Sequence, residues 1–116
     1  MKRKQLRLGK GFRVVFGNRR SQAAEMVLPP GDAEGEANNR HHGADQWLFV
    51  IAGMGTARIN GKRYGLKAGT LLLIERDDEH EIRNTGPGHL RTLNFYVPPA
   101  YSKSGDPLSA ARPGGS

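Results

Sequence analysis

The stretch NNRHHGADQWLFVIAGMG, residues 38–55, combines a strong strand pattern with side chains that can bind a ligand. Its segment QWLFVIA, residues 46–52, is rich in β-branched and aromatic residues and is followed by a glycine. Successive side chains of a strand point to opposite faces, so Gln46 lies on one face and Trp47 and Phe49 lie on the other. Both faces are apolar, which predicts that both are covered.

Glycine and proline divide the rest of the chain into short apolar runs, with 16 Gly and 7 Pro among 116 residues. Eight strands spaced by about ten residues are predicted, and this indicates an all-β sandwich or barrel. Their ranges are 12–17, 23–28, 46–52, 56–60, 62–66, 69–75, 80–84 and 90–97. The dipeptide Asn60-Gly61 predicts a two-residue hairpin, because both central residues must adopt positive φ. The polar segment 31–40 is predicted to be a loop.

The length and composition predict one cytoplasmic domain. At 116 residues the chain can build a single core. No apolar run approaches the roughly 18 residues that cross a bilayer, and the charged N-terminus lacks the apolar run of a signal peptide, so no membrane partner is expected. Cys is absent, so a metal site would have to use His, carboxylate, amide or hydroxyl groups.

The net charge of +7 is concentrated at the N-terminus. Residues 1–20 contain eight Lys or Arg and no acid, whereas the remainder contains ten basic and eleven acidic residues. No aromatic residues for base stacking are interleaved with the basic ones, so no specific nucleic-acid binding is expected. We divide the chain into a basic, solvated and partly disordered N-terminal arm at 1–11, a barrel at 12–100, and a flexible, Gly/Pro-rich C-terminal tail at 101–116.

Candidate ligand-binding groups concentrate in two segments. In the first, His41, His42 and Gln46 lie where a loop becomes a strand. In the second, His80 opens a strand after an acidic turn, and Asn84 follows four residues later on the same face. Antiparallel folding brings the starts of these strands together, so we expect two imidazoles and an amide to converge at one barrel mouth.

These two segments resemble the motifs of the cupin family. Gln46, six residues and Gly53 are similar to the end of the first cupin motif, in which His-x-His precedes a Glu and a Gly follows six residues later. Gly69 to Asn84 is similar to the second motif, Gly-x5-Pro-x-Gly-x2-His-x3-Asn, with its spacing intact and His80 at the histidine position. Two motifs in the right order, enclosing a hairpin, favour the cupin fold.

The chain departs from the cupin pattern at the ligand positions. The doublet His41-His42 does not supply His-x-His in either spacing of the first motif. Gln46 stands in place of the usual Glu, and Glu75 and Asp77 stand in place of Pro and Gly. The motifs therefore favour the fold more strongly than a complete metal site.

The resemblance implies a double-stranded β-helix, or jelly-roll barrel, of two antiparallel sheets that pairs as a homodimer. It also implies a divalent metal ion (Zn, Fe, Mn or Ni) held by His41 or His42, the carbonyl oxygen of Gln46, and His80. Because these ligands are neutral, we expect weak or exchangeable metal and a small anionic organic ligand. If the protein is an enzyme, the resemblance implies a dioxygenase or an isomerase; the alternative is a metal-free, non-catalytic small-molecule binding module.

Three further residues are predicted to line the ligand pocket: Asn84, Asn94 and Tyr96. Asn94 and Tyr96 share one face of the last strand, where an amide and a hydroxyl would offer hydrogen bonds to a ligand. The opposite register of this strand would bury Leu93 and Phe95 instead.

Overall fold

A computed structural model gives the structure of residues 1–36 and 43–108. Within these ranges the chain forms nine strands and no helix, so the predicted all-β class is confirmed. The strands are β1 (Gly11–Gly17), β2 (Gln22–Leu28), β3 (Ala33–Glu36), β4 (Asp45–Ala52), β5 (Met54–Ile59), β6 (Lys62–Lys67), β7 (Leu71–Ile74), β8 (His80–Asn84) and β9 (Leu90–Val97). The described part of the chain accordingly contains no helix long and apolar enough to cross a membrane.

The strands form two antiparallel sheets that enclose one core. The first sheet has the order β1-β2-β9-β4-β7, and the second has the order β3-β8-β5-β6. The main cluster of buried apolar side chains draws on both sheets and comprises Met26, Leu28, Leu48, Val50, Ala57, Leu66, Ile74, Ile82 and Leu90. This arrangement is the predicted double-stranded β-helix.

Strand β4 alternates as its sequence predicts. Gln46, Leu48 and Val50 are buried on its inner face, whereas Trp47 and Phe49 are 40% and 39% exposed on its outer face. The prediction that both faces are covered therefore holds for the inner face only, since the described part of a single chain leaves the outer face exposed.

The Asn60-Gly61 hairpin is confirmed. It joins β5 to β6, with Ile59 paired to Lys62 across the turn. Asn60 and Gly61 have φ values of 52° and 83°, the positive values that a tight two-residue turn requires. The hairpin lies between the two predicted motifs and carries the chain from the first towards the second.

One predicted loop contains a strand. The segment 31–40 has no run of β-branched or aromatic residues, yet Ala33–Glu36 within it forms β3 and pairs with β8. Glu34 lies opposite Ile82 in this ladder. The strand is specified by pairing with β8 and not by the propensity of its own residues, so its sequence gave no signal for it.

The basic N-terminal arm is mostly exposed, but its backbone contacts the barrel at Arg7 and Leu8. The backbone N–H groups of Arg7 and Leu8 donate hydrogen bonds of 2.8 and 2.9 Å to the carboxylate of Glu25 in β2. Arg13 in β1 donates a third, of 2.7 Å, to the same carboxylate. Glu25 is 1% exposed, so these three donors supply the hydrogen bonds that water would make to an exposed carboxylate.

Replacing Glu25 by Gln is expected to lower the free energy of unfolding by about 2–3 kcal/mol at pH 7. Burial acts to raise the pKa of Glu25, but hydrogen bonds from Arg13, Arg7 and Leu8 hold it below the usual 4.5. A lowered pKa in the folded state means that the ionised carboxylate stabilises the fold above the unfolded-state value, and that this stabilisation is lost as pH falls through the folded-state value.

Urea unfolding at pH 7 and at pH 3 measures this effect. The difference in free energy between the wild type and Glu25→Gln should be large at pH 7 and should shrink at pH 3. Glu81→Gln is the control, because the Glu81–Arg83 pair is more exposed and its loss should cost less than about 0.5 kcal/mol. Equal effects of the two substitutions at pH 7 would contradict the role assigned to Glu25.

Candidate functional site

The candidate site is a small cavity between the two sheets. Side chains from both sheets and from the segment after β9 line it: Phe12, Met26, Glu34, Gln46, His80, Ile82, Tyr96 and Tyr101. The volume of the cavity is about 10 Å³. That is close to the minimum for one water molecule, so the cavity matches a single ion or water and a larger ligand would have to approach from the mouth.

Gln46 places an amide at the wall of this cavity from the first residues of β4. The side chain is 2% exposed. Its amide nitrogen donates a hydrogen bond of 2.8 Å to the side-chain oxygen of Asn94. Its carbonyl oxygen, Oε1, is buried and has no hydrogen-bond partner among the described residues. An acceptor in this state can take a metal ion or a hydrogen-bond donor from an occupant of the cavity.

His80 reaches the same cavity from the first residue of β8 and is 3% exposed. The acidic turn before it is held by the hairpin, because the side chain of Asn60 donates to Asp78 at 2.8 Å and accepts from the backbone N–H of Glu79 at 2.9 Å. The turn therefore has a structural role in positioning His80. Gln46 and His80 thus line one cavity, while the third group of the predicted convergence, an imidazole of His41 or His42, lies outside the described residues.

Two tyrosines form one wall of the cavity. The rings of Tyr96 and Tyr101 meet edge to face, with their centroids 5.0 Å apart. Burial raises the pKa of Tyr96 well above 10, and the neighbouring Tyr101, through its charge and a hydrogen bond, raises it further. Burial also raises the pKa of Tyr101. Both hydroxyls therefore stay protonated near neutral pH and supply hydrogen bonds without charge.

Tyr101 lies beyond the predicted end of the barrel. Residue 101 is the first of the predicted flexible tail, but Gln22 in β2 binds the backbone here. Its amide nitrogen donates to the Tyr101 carbonyl at 2.6 Å, and its amide oxygen accepts from the N–H groups of Ala100 and Tyr101 at 3.2 and 3.1 Å. The Tyr101 ring also packs on Phe12, with centroids 4.7 Å apart. The barrel therefore includes this residue.

Glu34 is a cavity residue that the sequence analysis missed. It lies on β3 opposite Ile82, whose side chain also lines the cavity. Partial burial raises the pKa of its carboxyl group above 4.5. No pattern in the predicted loop marked this residue, because its place depends on the pairing of β3 with β8.

Asn84 and Asn94, predicted to line the pocket, lie outside the cavity lining. The amide nitrogen of Asn84 donates to the carbonyls of Leu28 and Gly88 at 2.7 and 2.8 Å, and its oxygen accepts from the N–H of Gly86 at 2.8 Å. These bonds stabilise the loop after β8. Asn94 points inward, in the predicted register of β9, but lies behind Gln46 and does not line the cavity.

The two predicted histidine ligands, His41 and His42, lie outside the described residues. Within residues 1–36 and 43–108, no group of three or more His, Cys, Asp or Glu is placed to hold a metal ion. Among the described lining residues, Gln46, through its buried carbonyl oxygen, and His80 are groups that fit a metal ion.

Many known proteins are similar to this chain, including the following three. An oxalate-binding protein from Thermotoga maritima is 33% identical over 74 residues, which are 64% of this chain and 60% of that protein, so the match spans less than two thirds of the relative. A crystal structure from Bacillus halodurans superposes with a TM-score of 0.75 at 22% identity, covering 82% of this chain and 75% of the other. The crystal structure of a cupin domain from an XRE family transcriptional regulator of Enterobacter cloacae gives a TM-score of 0.66 at 18% identity, covering 76% and 95%.

The likeness to the two solved structures concerns the fold alone. Residues 24–96 match the cupin domain family. This range runs from β2 into β9 and includes Gln46 and His80, the described members of the two predicted motifs that line the cavity. Because more than half of the sequence is matched and the two-sheet barrel agrees with it, the chain belongs to the cupin domain family.

Proposed function

We propose that the cavity binds one divalent metal ion through Gln46 Oε1, His80 and either His41 or His42, and that a small carboxylate ligand binds to this ion. The observation that carries the proposal is the buried Gln46 oxygen, which has no hydrogen-bond partner among the described residues. An acceptor left in this state costs about 1–3 kcal/mol, and a bound cation offsets that cost. The neutral donors favour weak or exchangeable binding of Zn, Fe, Mn or Ni.

The charges of the cavity lining favour a carboxylate ligand that binds to a metal ion and not directly to the protein. The described lining contains no Lys or Arg, whereas Glu34 contributes a carboxylate. An anion placed there alone would face Glu34 and the Gln46 oxygen, both of which are acceptors. A divalent ion reverses this balance, because it attracts carboxylates of the protein and of the ligand alike. The name of the Thermotoga relative makes oxalate the first ligand to test.

Turnover of the ligand would use the same arrangement. Gln46 and His80, both neutral ligands, would hold the ion with its charge retained, and the ion would supply Lewis acidity towards a carboxylate or enolate. The activities proposed on this basis are oxygen-dependent cleavage, as in a dioxygenase, and isomerisation. Tyr96 and Tyr101, protonated near neutral pH, would hold the ligand by hydrogen bonds and would not act as bases.

Oxalate is expected to bind at least about tenfold more tightly when Mn²⁺ is present, because the ion supplies the positive charge that the described lining lacks. Calorimetry on tag-free protein, stripped with a chelator, measures Mn²⁺ alone, oxalate alone, and oxalate after Mn²⁺. Formate serves as the matched control, since it carries one carboxylate and cannot form the five-membered chelate ring that the two carboxylates of oxalate form with a metal.

The second candidate function is a metal-free binding module, which is favoured by the lack of a three-residue His, Cys, Asp or Glu group in the described ranges. Oxalate affinity that is equal with and without Mn²⁺ would support this alternative and contradict the metal proposal. Failure of Mn²⁺ to bind at all would contradict the metal proposal as well.

We also propose a homodimer that forms through the outer face of the first sheet. Six large apolar side chains on the adjacent strands β9, β4 and β7 are between 39% and 58% exposed there: Trp47, Phe49, Leu71, Leu73, Phe95 and Val97. Trp47 lies directly between Leu73 and Phe95 in the ladders, so the patch is continuous. A second copy offers the same patch, and a two-fold axis would bring the two apolar faces together.

A further inference from the structure

Three successive buried hydrogen bonds connect Gln46 to the backbone of β2. The Gln46 amide nitrogen donates to Asn94 Oδ1 at 2.8 Å, and Asn94 Nδ2 donates to Thr92 Oγ1 at 3.0 Å. The Thr92 hydroxyl donates in turn to the backbone carbonyl of Met26 at 2.8 Å. The Gln46, Asn94 and Thr92 side chains are 2%, 0% and 0% exposed, so water does not compete for these bonds.

The donor-to-acceptor direction of these hydrogen bonds is fixed at the Met26 carbonyl. A backbone carbonyl can only accept, so the Thr92 proton points to Met26 and the Thr92 oxygen is left as an acceptor. The NH₂ group of Asn94 must then face Thr92, and the Asn94 oxygen must face Gln46. The NH₂ group of Gln46 is thereby turned away from the cavity. Reversing both amides would require the Thr92 hydroxyl to leave Met26, and one buried hydrogen bond would be lost.

We propose that Thr92 and Asn94 are positioning residues that hold Gln46 as an obligate acceptor towards the cavity. The site then selects an occupant that presents a cation or a hydrogen-bond donor to Gln46 Oε1, and it disfavours a bare anion at that point. This inference rests on the proposed function for the nature of the occupant, but the direction of the hydrogen bonds stands independently of it.

The same hydrogen bonds explain why residue 46 is a glutamine and not a glutamate. A carboxylate there would place an oxygen against the Asn94 oxygen, and both atoms are acceptors. Relief would require Asn94 to turn over and the Thr92 hydroxyl to rotate away from Met26. The hydrogen-bond network therefore favours a neutral amide at position 46.

Two substitutions and one control test the proposal, and each variant is assayed by Mn²⁺ calorimetry. Thr92→Val removes the hydroxyl at nearly constant shape, whereas its control Thr92→Ser retains it. Asn94→Leu removes the hydrogen bonds to both Gln46 and Thr92, and Thr92→Ser serves as its control as well. We expect Mn²⁺ affinity to fall about two- to tenfold in Thr92→Val and about 10- to 100-fold in Asn94→Leu. The control Thr92→Ser should stay within about threefold of wild type.

NMR of the metal-free protein supplies a readout that does not depend on the proposed function. The Gln46 side-chain NH₂ should give one set of signals in the wild type and in Thr92→Ser. In Thr92→Val, where neither amide direction is favoured, it should give two sets or one clearly shifted set. Thermal unfolding of every variant separates positioning from loss of fold.

The outcomes distinguish the two proposals. Failure of the wild type to bind Mn²⁺ would overturn the proposed function, while the predicted change in the NMR signals would still support the positioning role. Unchanged Gln46 signals in Thr92→Val, or Mn²⁺ affinity retained in folded Asn94→Leu, would overturn the positioning role.

Discussion

Replacing His80 by Ala is expected to weaken Mn²⁺ binding by more than about 100-fold, since the loss of a direct ligand should cost at least as much as the 10- to 100-fold typical of supporting residues. His80 is 3% exposed and lines the same cavity as Gln46, so its imidazole is the described nitrogen ligand of the proposed site. Calorimetric titration of metal-stripped protein measures the change.

The matched control is His89→Ala. His89 is a described histidine outside the cavity lining, so its loss should leave Mn²⁺ affinity within about twofold of wild type. Removing a buried side chain at position 80 also leaves a cavity that can cost about 2 kcal/mol. His80→Gln, which preserves most of the volume, separates a lost ligand from a lost fold. Wild-type affinity in a folded His80 variant would exclude this residue as a ligand.

Replacing Trp47 by Glu is expected to convert a dimer to a monomer at micromolar concentrations, with the dissociation constant raised at least about 100-fold. Trp47 lies at the middle of the exposed apolar patch, between Leu73 on β7 and Phe95 on β9. A two-fold axis through the patch would bring two introduced carboxylates close together in an apolar interface, where a buried unpaired charge is costly.

Sedimentation velocity of the wild type and the variant measures this change. Tyr64→Glu is the control, because Tyr64 is a similarly exposed aromatic residue, at 42%, on β6 of the other sheet. It should leave the dimer intact. A wild-type protein that sediments as a monomer at 100 µM, about the concentration at which a standard-size specific interface should be occupied, would contradict the proposed interface.

The alternation of β4, β8 and β9 made the inner face of the barrel predictable. A period of two placed Gln46 with Leu48, His80 with Ile82, and Asn94 with Tyr96, and all six are buried. The hairpin followed from the backbone conformation that Asn60-Gly61 favours. These features depend on neighbouring residues along the chain, and such local signals can be read from one sequence.

The missed residues depend on contacts between distant segments. Glu34 enters the cavity because β3 pairs with β8, and Tyr101 enters it because Gln22, 79 residues away, binds its backbone. The roles of Asn84 and Asn94 could not be predicted either. An inward-facing amide can bind a ligand or form hydrogen bonds within the protein, and only the positions of its partners decide between these two roles. The assignment of His41 and His42 as ligands stays a prediction.

The most direct test of the proposed metal site is anomalous diffraction from crystals of metal-stripped protein soaked in Mn²⁺. We predict one strong peak inside the barrel, about 2.0–2.3 Å from Gln46 Oε1 and from an imidazole nitrogen of His80. A barrel without any anomalous peak at saturating Mn²⁺, or a peak bound only to surface carboxylates, would contradict the site.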